Sequence, residues 1–264
     1  MTNFNLYTDM LKQVHILIAG CAGSGKSVVI NGMISEAICG TPEEAKLILI
    51  DPKRVELVEY KGLPHTLRYA SEPDEMVAAL QYAMNLCDAR YTLMQAAGQK
   101  KYQGAHVYVI IDELADLMTT DKKRVMPLIQ RLCQVGRAAG ISVVAATQCP
   151  LTIVIPTPIK VNFDCVIGLH TVNAQHSRNI IDEAGCEKLP RYGKAIYTNP
   201  DMRETVNVPM VSDEERAAII NYWLRIEAAK KAPKPTAKAA PKAEHKPTAK
   251  RPEKRKGFFE RLFA

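Results

Sequence analysis

The stretch that decides the fold of this chain is HILIAGCAGSGKSVVINGMI, residues 15–34. It opens with a short apolar run typical of a buried strand and closes with apolar residues at helical spacing. Between the two, residues 20–27 match the pattern GxxxxGK[ST] at every position. A strand, a glycine-rich turn and a helix in this order predict a loop that binds phosphate groups. A chance glycine-rich turn is the alternative, and the flanking apolar patterns disfavour it.

The residue types of this loop suit a nucleoside triphosphate and its magnesium ion. Glycines let backbone N–H groups turn toward a phosphate without a side chain in the way. Lys26 can reach the β- and γ-phosphates of ATP, and the Ser27 hydroxyl can ligate Mg²⁺. We expect contacts to ATP from nine residues: Gly20, Cys21, Ala22, Gly23, Ser24, Gly25, Lys26, Ser27 and Val28.

An acidic pair follows a second apolar run, residues 107–111. Asp112 suits coordination of Mg²⁺ through water, and Glu113 is placed to orient and deprotonate an attacking water molecule. The same pair could instead cap a helix, because acids are favoured at helix N-termini. A strand that ends at Asp51 falls between the loop and the pair along the chain. That order is typical of NTPases that carry a catalytic glutamate beside the metal-binding acid.

Two further polar residues stand near a predicted strand at residues 142–146. Gln148 follows this strand, at the edge where ligands bind in parallel sheets. It could sense the γ-phosphate, hold the lytic water or cap a turn. Arg137 precedes the strand, near the end of a helix, where it could stabilise transition-state charge in a neighbouring subunit or act as an ordinary C-terminal cation. The predicted catalytic set is Lys26, Glu113, Arg137 and Gln148.

Apolar runs and helical patterns alternate along most of the chain. The runs predict strands at residues 15–19, 47–50, 107–111, 142–146 and 165–169, and the helical patterns cover residues 27–38, 72–97, 122–139 and 214–229. This alternation favours a doubly wound α/β fold with a mostly parallel sheet. Residues 138–159 carry no charge over a length that could span a membrane. Their three prolines favour a strand followed by a loop instead.

The composition fits one large domain with a basic extension. The chain has 264 residues, 47% of them hydrophobic, and a net charge of +7. From residue 228 onward, 12 Lys and Arg stand against three Asp and Glu, whereas the rest of the chain has a net charge of −2. The seven cysteines include no CxxC pair, which disfavours a zinc cluster and gives no sign of a disulfide framework. Reduced thiols and the lack of a secretory signal predict a cytoplasmic protein.

We divide the chain into an ATPase domain (residues 1–229), a disordered Lys/Ala/Pro-rich linker (230–256) and a short amphipathic segment (257–264). The linker could hold DNA phosphates, attract an anionic membrane or act as a solvated tether. The last segment could bind a membrane surface or a protein partner, or fray. Binding to lipid would make the protein peripheral to the membrane. These alternatives stay open.

Seven motifs in order resemble the motor domain of the FtsK/SpoIIIE family of DNA translocases, over about residues 14–215. They are HILIAG with the phosphate loop (15–27), IDPK (50–53), EL and GLPH (56–65), DELADLM (112–118), RAAGI (137–141), ATQ (146–148) and SRNIID (177–182). The resemblance implies a RecA-like P-loop NTPase core that forms hexameric rings and uses ATP hydrolysis to move along double-stranded DNA.

The resemblance also implies roles for six residues already singled out. It implies nucleotide and Mg²⁺ contacts for Lys26 and Ser27, the metal for Asp112, base catalysis for Glu113, an arginine finger in trans for Arg137 and sensing for Gln148. The chain departs from the family at Cys149, where arginine usually follows ATQ, and in the loop at residues 151–160.

The expected protein is a minimal motor without the membrane anchor, extra subdomain and winged-helix module of full-length members. Two other functions stay open. One is a related conjugation-coupling or DNA-packaging ATPase, and the other is an ATP-binding scaffold that moves nothing.

Overall fold

The computed structural model describes residues 5–231, and they form an eight-stranded sheet with helices on both faces. The strands are β1 (Ile16–Ala19), β2 (Ala45–Ile50), β3 (Thr66–Ala70), β4 (His106–Ile111), β5 (Ile141–Thr147), β6 (Cys165–Gly168), β7 (Lys194–Thr198) and β8 (Arg203–Asn207). Their order across the sheet is β3-β2-β4-β5-β1-β6-β7-β8. The first six in that order run parallel, and β7 and β8 add an antiparallel hairpin at one edge.

The described residues also form seven helices, of which the first precedes β1 and the last follows β8. They are α1 (Leu6–Lys12), α2 (Lys26–Ile38), α3 (Pro73–Ala96), α4 (Leu114–Ala139), α5 (Thr157–Lys160), α6 (Ala174–Ile181) and α7 (Asp213–Lys231), with 3-10 turns at Val58–Tyr60 and Cys186–Lys188. The mostly parallel α/β fold predicted from the alternating pattern is therefore confirmed.

The central strands are apolar at every position because both faces of the sheet are covered. In β1, Leu17 and Ala19 join the core beneath α3, α4 and α6, whereas Ile16 and Ile18 join the core beneath α1, α2 and α7. Each core is formed by one layer of helices against one face of the sheet. The loops that leave the carboxyl ends of the parallel strands consequently meet at a single edge.

Local sequence sets the ends of the long helices. Pro73 begins α3 behind a capping box formed by Glu72 and Glu75. Gly140 ends α4 with a φ of 65°, a left-handed conformation that glycine adopts without a Cβ penalty.

Helix α4 is longer than predicted. The pattern at 122–139 identifies only its second part, which begins after the non-helical Asp121. The carboxylate of Asp121 accepts from the Arg124 N–H at 3.1 Å and caps that part. The first part starts at Leu114, directly behind the acidic pair.

Three strands (β3, β7 and β8) and three short helices (α1, α5 and α6) have no counterpart in the sequence prediction. β3, β7 and β8 lie toward the two edges of the sheet. Their side chains are only partly buried, so they lack the continuous apolar runs of the central strands. The uncharged segment 138–159 forms the end of α4, then β5, a loop and the start of α5, as expected. In the part of the chain that is described, no helix has the length and apolar character to cross a bilayer.

The predicted tail lies almost wholly outside the described residues. Helix α7 continues through Lys231, two residues beyond the predicted end of the ATPase domain. The remainder of the linker at 230–256 and the segment at 257–264 fall in the part that is not described.

Candidate nucleotide site

The phosphate loop leaves β1 at the carboxyl edge of the sheet, between β5 and β6. Its first two N–H groups are bonded to these neighbours, Gly20 to the Thr147 carbonyl at 3.3 Å and Cys21 to the His170 carbonyl at 2.8 Å. A Cβ on Gly20 would come within 2.6 Å of the Leu169 Cβ, so only glycine fits. The loop is therefore held on both sides at the centre of the sheet.

The same loop turns through two left-handed glycines before α2 begins. Gly23 has a φ of 70° and Gly25 a φ of 96°, conformations that other residues rarely adopt. Buried between them, the Ser24 hydroxyl has no hydrogen-bond partner among the described residues. An orphaned donor in a glycine-rich turn fits a loop built to surround an anion.

Lys26 joins the phosphate loop to the acidic pair. Its Nζ donates to the Asp112 carbonyl oxygen at 2.8 Å and also to the Asp112 carboxylate. Both side chains are almost fully buried, with exposed fractions of 4% and 1%. Burial raises the pKa of Asp112 above its ordinary value, and the Lys26 ammonium opposes that shift. Two motifs that are 86 residues apart in sequence therefore share one site.

The donor set at this place fits Mg²⁺ and a polyphosphate. Ser27 lies in the first turn of α2, and Asp112 directly follows the last residue of β4. One hydroxyl and one carboxylate are hard oxygen ligands of the kind that Mg²⁺ takes alongside water and phosphate. Within residues 5–231 there is no cluster of three or more His, Cys, Asp or Glu able to cage a metal.

Glu113 is buried next to Asp112 and accepts hydrogen bonds from several groups. Its Oε1 accepts from the Thr147 hydroxyl at 2.7 Å and from the Ala115 N–H at 3.4 Å. The Gln148 N–H lies 3.2 Å from both carboxylate oxygens. Glu113 is thus the N-cap of α4, the alternative considered for it, and at the same time part of the site.

Gln148 lies where a residue can reach both motifs. It follows β5, which stands between β4 with the acidic pair and β1 with the phosphate loop. Its side chain is half-buried at the carboxyl edge. The strand that lies between β1 and β4 in the sheet is β5, whereas the strands that lie between them in sequence, β2 and β3, are on the far side of β4.

Comparison with known proteins agrees with this geometry. A sequence model of the FtsK/SpoIIIE family matches residues 1–108 and 100–151. The chain belongs to the FtsK/SpoIIIE family. It is 36% identical over 245 residues to the DNA translocase FtsK of Sporosarcina ureae, covering 84% of this chain and 31% of the relative. It is 35% identical over 262 residues to the DNA translocase FtsK of Rickettsia prowazekii, covering 82% of this chain and 35% of the relative. The chain spans about a third of the length of these relatives.

Solved structures share the fold. The pCW3 conjugation coupling protein TcpA, in a monomer form with ATPγS, superposes with a TM-score of 0.73 at 25% identity, covering 83% of this chain and 66% of that one. The ATPases 2 and 3 of EssC from Geobacillus thermodenitrificans superpose with a TM-score of 0.69 at 17% identity, covering 85% of this chain and 46% of that one. The assignment to the P-loop ATPases, made from the motifs, is confirmed.

Arg137, the finger implied by the FtsK/SpoIIIE resemblance, is not brought to the phosphate loop of its own chain. It lies in the last turn of α4 with 71% of its side chain exposed, and it pairs with Asp164 at 3.2 Å. Asp164 precedes β6, so this pair lies at the amino edge of the sheet. The seven residues of β5 separate the two edges by roughly 20 Å. Arg137 can therefore serve only a site on another molecule, and that role stays a prediction.

The sequence analysis did not identify three residues that the structure places at this site, Thr147, Lys53 and Arg191. Thr147 positions Glu113 through its hydroxyl, and Lys53 Nζ lies 3.5 Å from the other carboxylate oxygen of Glu113. Lys53 had a usable signal, because it stands in the IDPK motif directly after the carboxyl end of β2. Arg191 donates to the Ala22 carbonyl at 3.2 Å. Nothing in its local sequence marks it, since only the fold brings it to the loop.

Proposed function

We propose that this chain is an ATP-driven motor that moves double-stranded DNA, working as a ring of identical subunits. The observation that carries the proposal is the contact of Lys26 with Asp112, since it places a phosphate loop and an acidic pair at one site. The curated relatives it matches are DNA translocases, which supplies the substrate. Membership of the FtsK/SpoIIIE family supports both parts.

In this proposal each buried group has a separate task at the nucleotide. The loop N–H groups and Lys26 hold the phosphates, and Ser27 and Asp112 would hold Mg²⁺, whose charge offsets that of the phosphates when it is bound. Glu113 orients the attacking water and accepts its proton. Its Oε2 suits that step better than Oε1, because Oε1 accepts from the Thr147 hydroxyl, the Ala115 N–H and the Gln148 N–H, whereas Oε2 has the Gln148 N–H at 3.2 Å and Lys53 Nζ at 3.5 Å. Gln148, on the same edge, senses the terminal phosphate.

The ring is proposed because Arg137 lies at the amino edge of the sheet, away from the phosphate loop of its own chain. Arg137 stands exposed at the opposite edge, as a group given to a neighbour would. An arginine supplied in trans stabilises charge that develops during phosphoryl transfer. We further propose a cytoplasmic location, where ATP and DNA are both present, with DNA, lipid or a protein as the partner of the tail.

The test is ATP turnover by the full chain with and without linear duplex DNA. We expect DNA to stimulate turnover, and Glu113→Gln to lower it at least 100-fold while ATP still binds. Lys26→Ala should lose both turnover and ATP binding. Turnover that is indifferent to duplex DNA would remove the translocase from the proposal, and binding without turnover in the native chain would favour the ATP-binding scaffold.

A conjugation-coupling ATPase is the second candidate, and the superposition on TcpA favours it. Both candidates use the same site and differ in the cargo they accept. Stimulation by naked duplex DNA alone favours the translocase. A requirement for DNA that carries a bound protein favours the coupling ATPase.

A further inference from the structure

A loop from outside the known motifs lies over the phosphate loop. Residues 189–193 connect the 3-10 turn at Cys186–Lys188 to β7, and β7 starts beside the end of its antiparallel partner β6. The loop therefore returns to the carboxyl edge, next to β1. There the Arg191 Nη2 donates to the Ala22 carbonyl at 3.2 Å. A Cβ built on Gly23 would lie 3.3 Å from the same nitrogen and 3.9 Å from the Tyr192 hydroxyl.

Hydrogen bonds and a buried side chain hold this loop, residues 189–193, in place. His170 bonds it to the phosphate loop, since its Nδ1 pairs with the Leu189 carbonyl at 2.8 Å and its own carbonyl accepts from the Cys21 N–H at 2.8 Å. Leu189 is buried in the core, and Gly193 turns the chain with a φ of 79°. Arg191 and Tyr192 are thereby held over the phosphate loop by anchors on both sides.

The charge of Arg191 is available for a ligand. The other cations at the site are engaged, Lys26 with Asp112 and Lys53 with Glu113. Among the described residues, no carboxylate pairs with Arg191, which is exposed. Tyr192 beside it is 66% exposed. An unpaired guanidinium and an exposed aromatic ring at a phosphate loop are groups that recognise polyphosphate and nucleoside.

The position of Arg191 and Tyr192 relative to the strands decides which half of the nucleotide they contact. Asp112 and Glu113 lie beyond β5 on one side of β1, whereas Arg191 and Tyr192 lie beyond β6 on the other. The acidic side is where the terminal phosphate must react. The opposite side is left for the nucleoside half.

We propose that Arg191 and Tyr192 are a second part of the nucleotide site, in which Arg191 binds the polyphosphate and Tyr192 packs against the nucleoside. This inference rests on the proposed function of the phosphate loop. Both residues act on binding and not on the chemical step, because neither lies on the side of Glu113. The ligand is a nucleoside triphosphate, and residues of a single chain bind it on both sides of β1.

Calorimetric titration of the full chain with ATPγS and with tripolyphosphate tests the two roles. Arg191→Ala should weaken the binding of both probes about 10-fold, because it removes a charged hydrogen-bond donor. Arg191→Lys should recover part of that loss, since it keeps the charge without the planar fork. Tyr192→Ala should weaken ATPγS and leave tripolyphosphate unchanged.

Arg225→Ala is the matched control, because it removes the same charge from an exposed position on α7. It should bind both probes as the native chain does. Native binding of ATPγS by Arg191→Ala would overturn the proposal for Arg191, and equal loss of both probes in Tyr192→Ala would overturn it for Tyr192. Should the native chain itself bind no ATPγS, the proposed function fails first, so the two failures are distinguishable.

Discussion

At the scale of single residues, the site is governed by buried groups that hold one another in place. Glu113 is the clearest case, since its carboxylate caps a helix and at the same time accepts from Thr147 and the Gln148 N–H. A carboxylate held this firmly is oriented before substrate arrives. The cap and the catalytic role are therefore compatible, although they were alternatives in the sequence.

Removing the Thr147 hydroxyl should reduce the rate of turnover without weakening ATP binding. Thr147→Val keeps the shape and burial of the side chain but leaves Glu113 Oε1 without its 2.7 Å donor. We expect kcat to fall about 10-fold and KM to stay within twofold, because the lost interaction orients the base and does not touch ATP.

Thr147→Ser is the matched control for this change, since it restores the donor and should recover most of the rate. A Thr147→Val variant with native kcat would show that Glu113 does not depend on this hydrogen bond. The kinetics are measured with saturating duplex DNA.

At the scale of elements, the two edges of the sheet have different chemistry. The carboxyl edge carries the charged nucleotide site, and the amino edge carries neutral histidines. His15 Nδ1 accepts from the Val143 N–H at 3.0 Å, and His106 Nε2 lies 2.7 Å from the Ser142 hydroxyl. The pKa of each histidine is lowered to about 4, mainly by burial; for His106 the nearby Arg90 contributes to the lowering, and for His15 the nearby Asp164 opposes it.

These histidines predict a loss of stability in mild acid. The folded state keeps them neutral down to about pH 4, whereas the unfolded chain protonates them below about pH 6.5. Their contribution is therefore fully present above pH 6.5 and falls as the pH drops from 6.5 toward 4. At pH 5 each should lower the free energy of unfolding by about 2 kcal/mol relative to pH 8.

Urea unfolding at pH 8 and pH 5 measures this effect. His106→Gln can keep a hydrogen bond to Ser142 without a titrating group, and it should reduce the difference between the two pH values by about 2 kcal/mol. Gln95→Ala, a substitution of a non-titrating residue at an exposed position on α3, is the control and should leave the difference unchanged. An unaltered difference in His106→Gln would contradict the account.

The elements also show how far sequence reasoning reaches. The central strands β1, β2, β4, β5 and β6 were predicted, because burial on both faces makes them continuous apolar runs. β7 and β8 were not, since one exposed face breaks the run. Lys26, Asp112 and Gln148 could be predicted because each stands in a motif whose residue types suit one task at a nucleotide. Arg191 belongs to no motif, because its place is set by an antiparallel pairing that no local pattern reveals.

At the scale of the whole molecule, the position of Arg137 supports the proposed ring. The residue lies at the edge of the sheet opposite the phosphate loop of its own chain, so in the proposed ring a complete site would combine the phosphate loop of one subunit with Arg137 of another. Lys26→Ala and Arg137→Ala should each abolish turnover alone. Mixed together, they should regain part of it, because some interfaces then pair a native Lys26 with a native Arg137.

The regained turnover is measured on equimolar mixtures, and native protein mixed with Lys26→Ala calibrates exchange of subunits. Arg225→Ala, which removes the same charge from α7, should leave turnover of the unmixed protein intact. Full turnover by Arg137→Ala alone, or a mixture no more active than its two components, would contradict a shared site.

Displacement of a third strand from duplex DNA tests the central claim most directly, because it records movement along DNA and not hydrolysis alone. With ATP and Mg²⁺, the native chain should strip the third strand from a triplex at the end of a linear duplex. Glu113→Gln should bind ATP and duplex DNA yet displace nothing. Displacement by Glu113→Gln at the native rate would contradict the account, as would hydrolysis by the native chain that never displaces the strand.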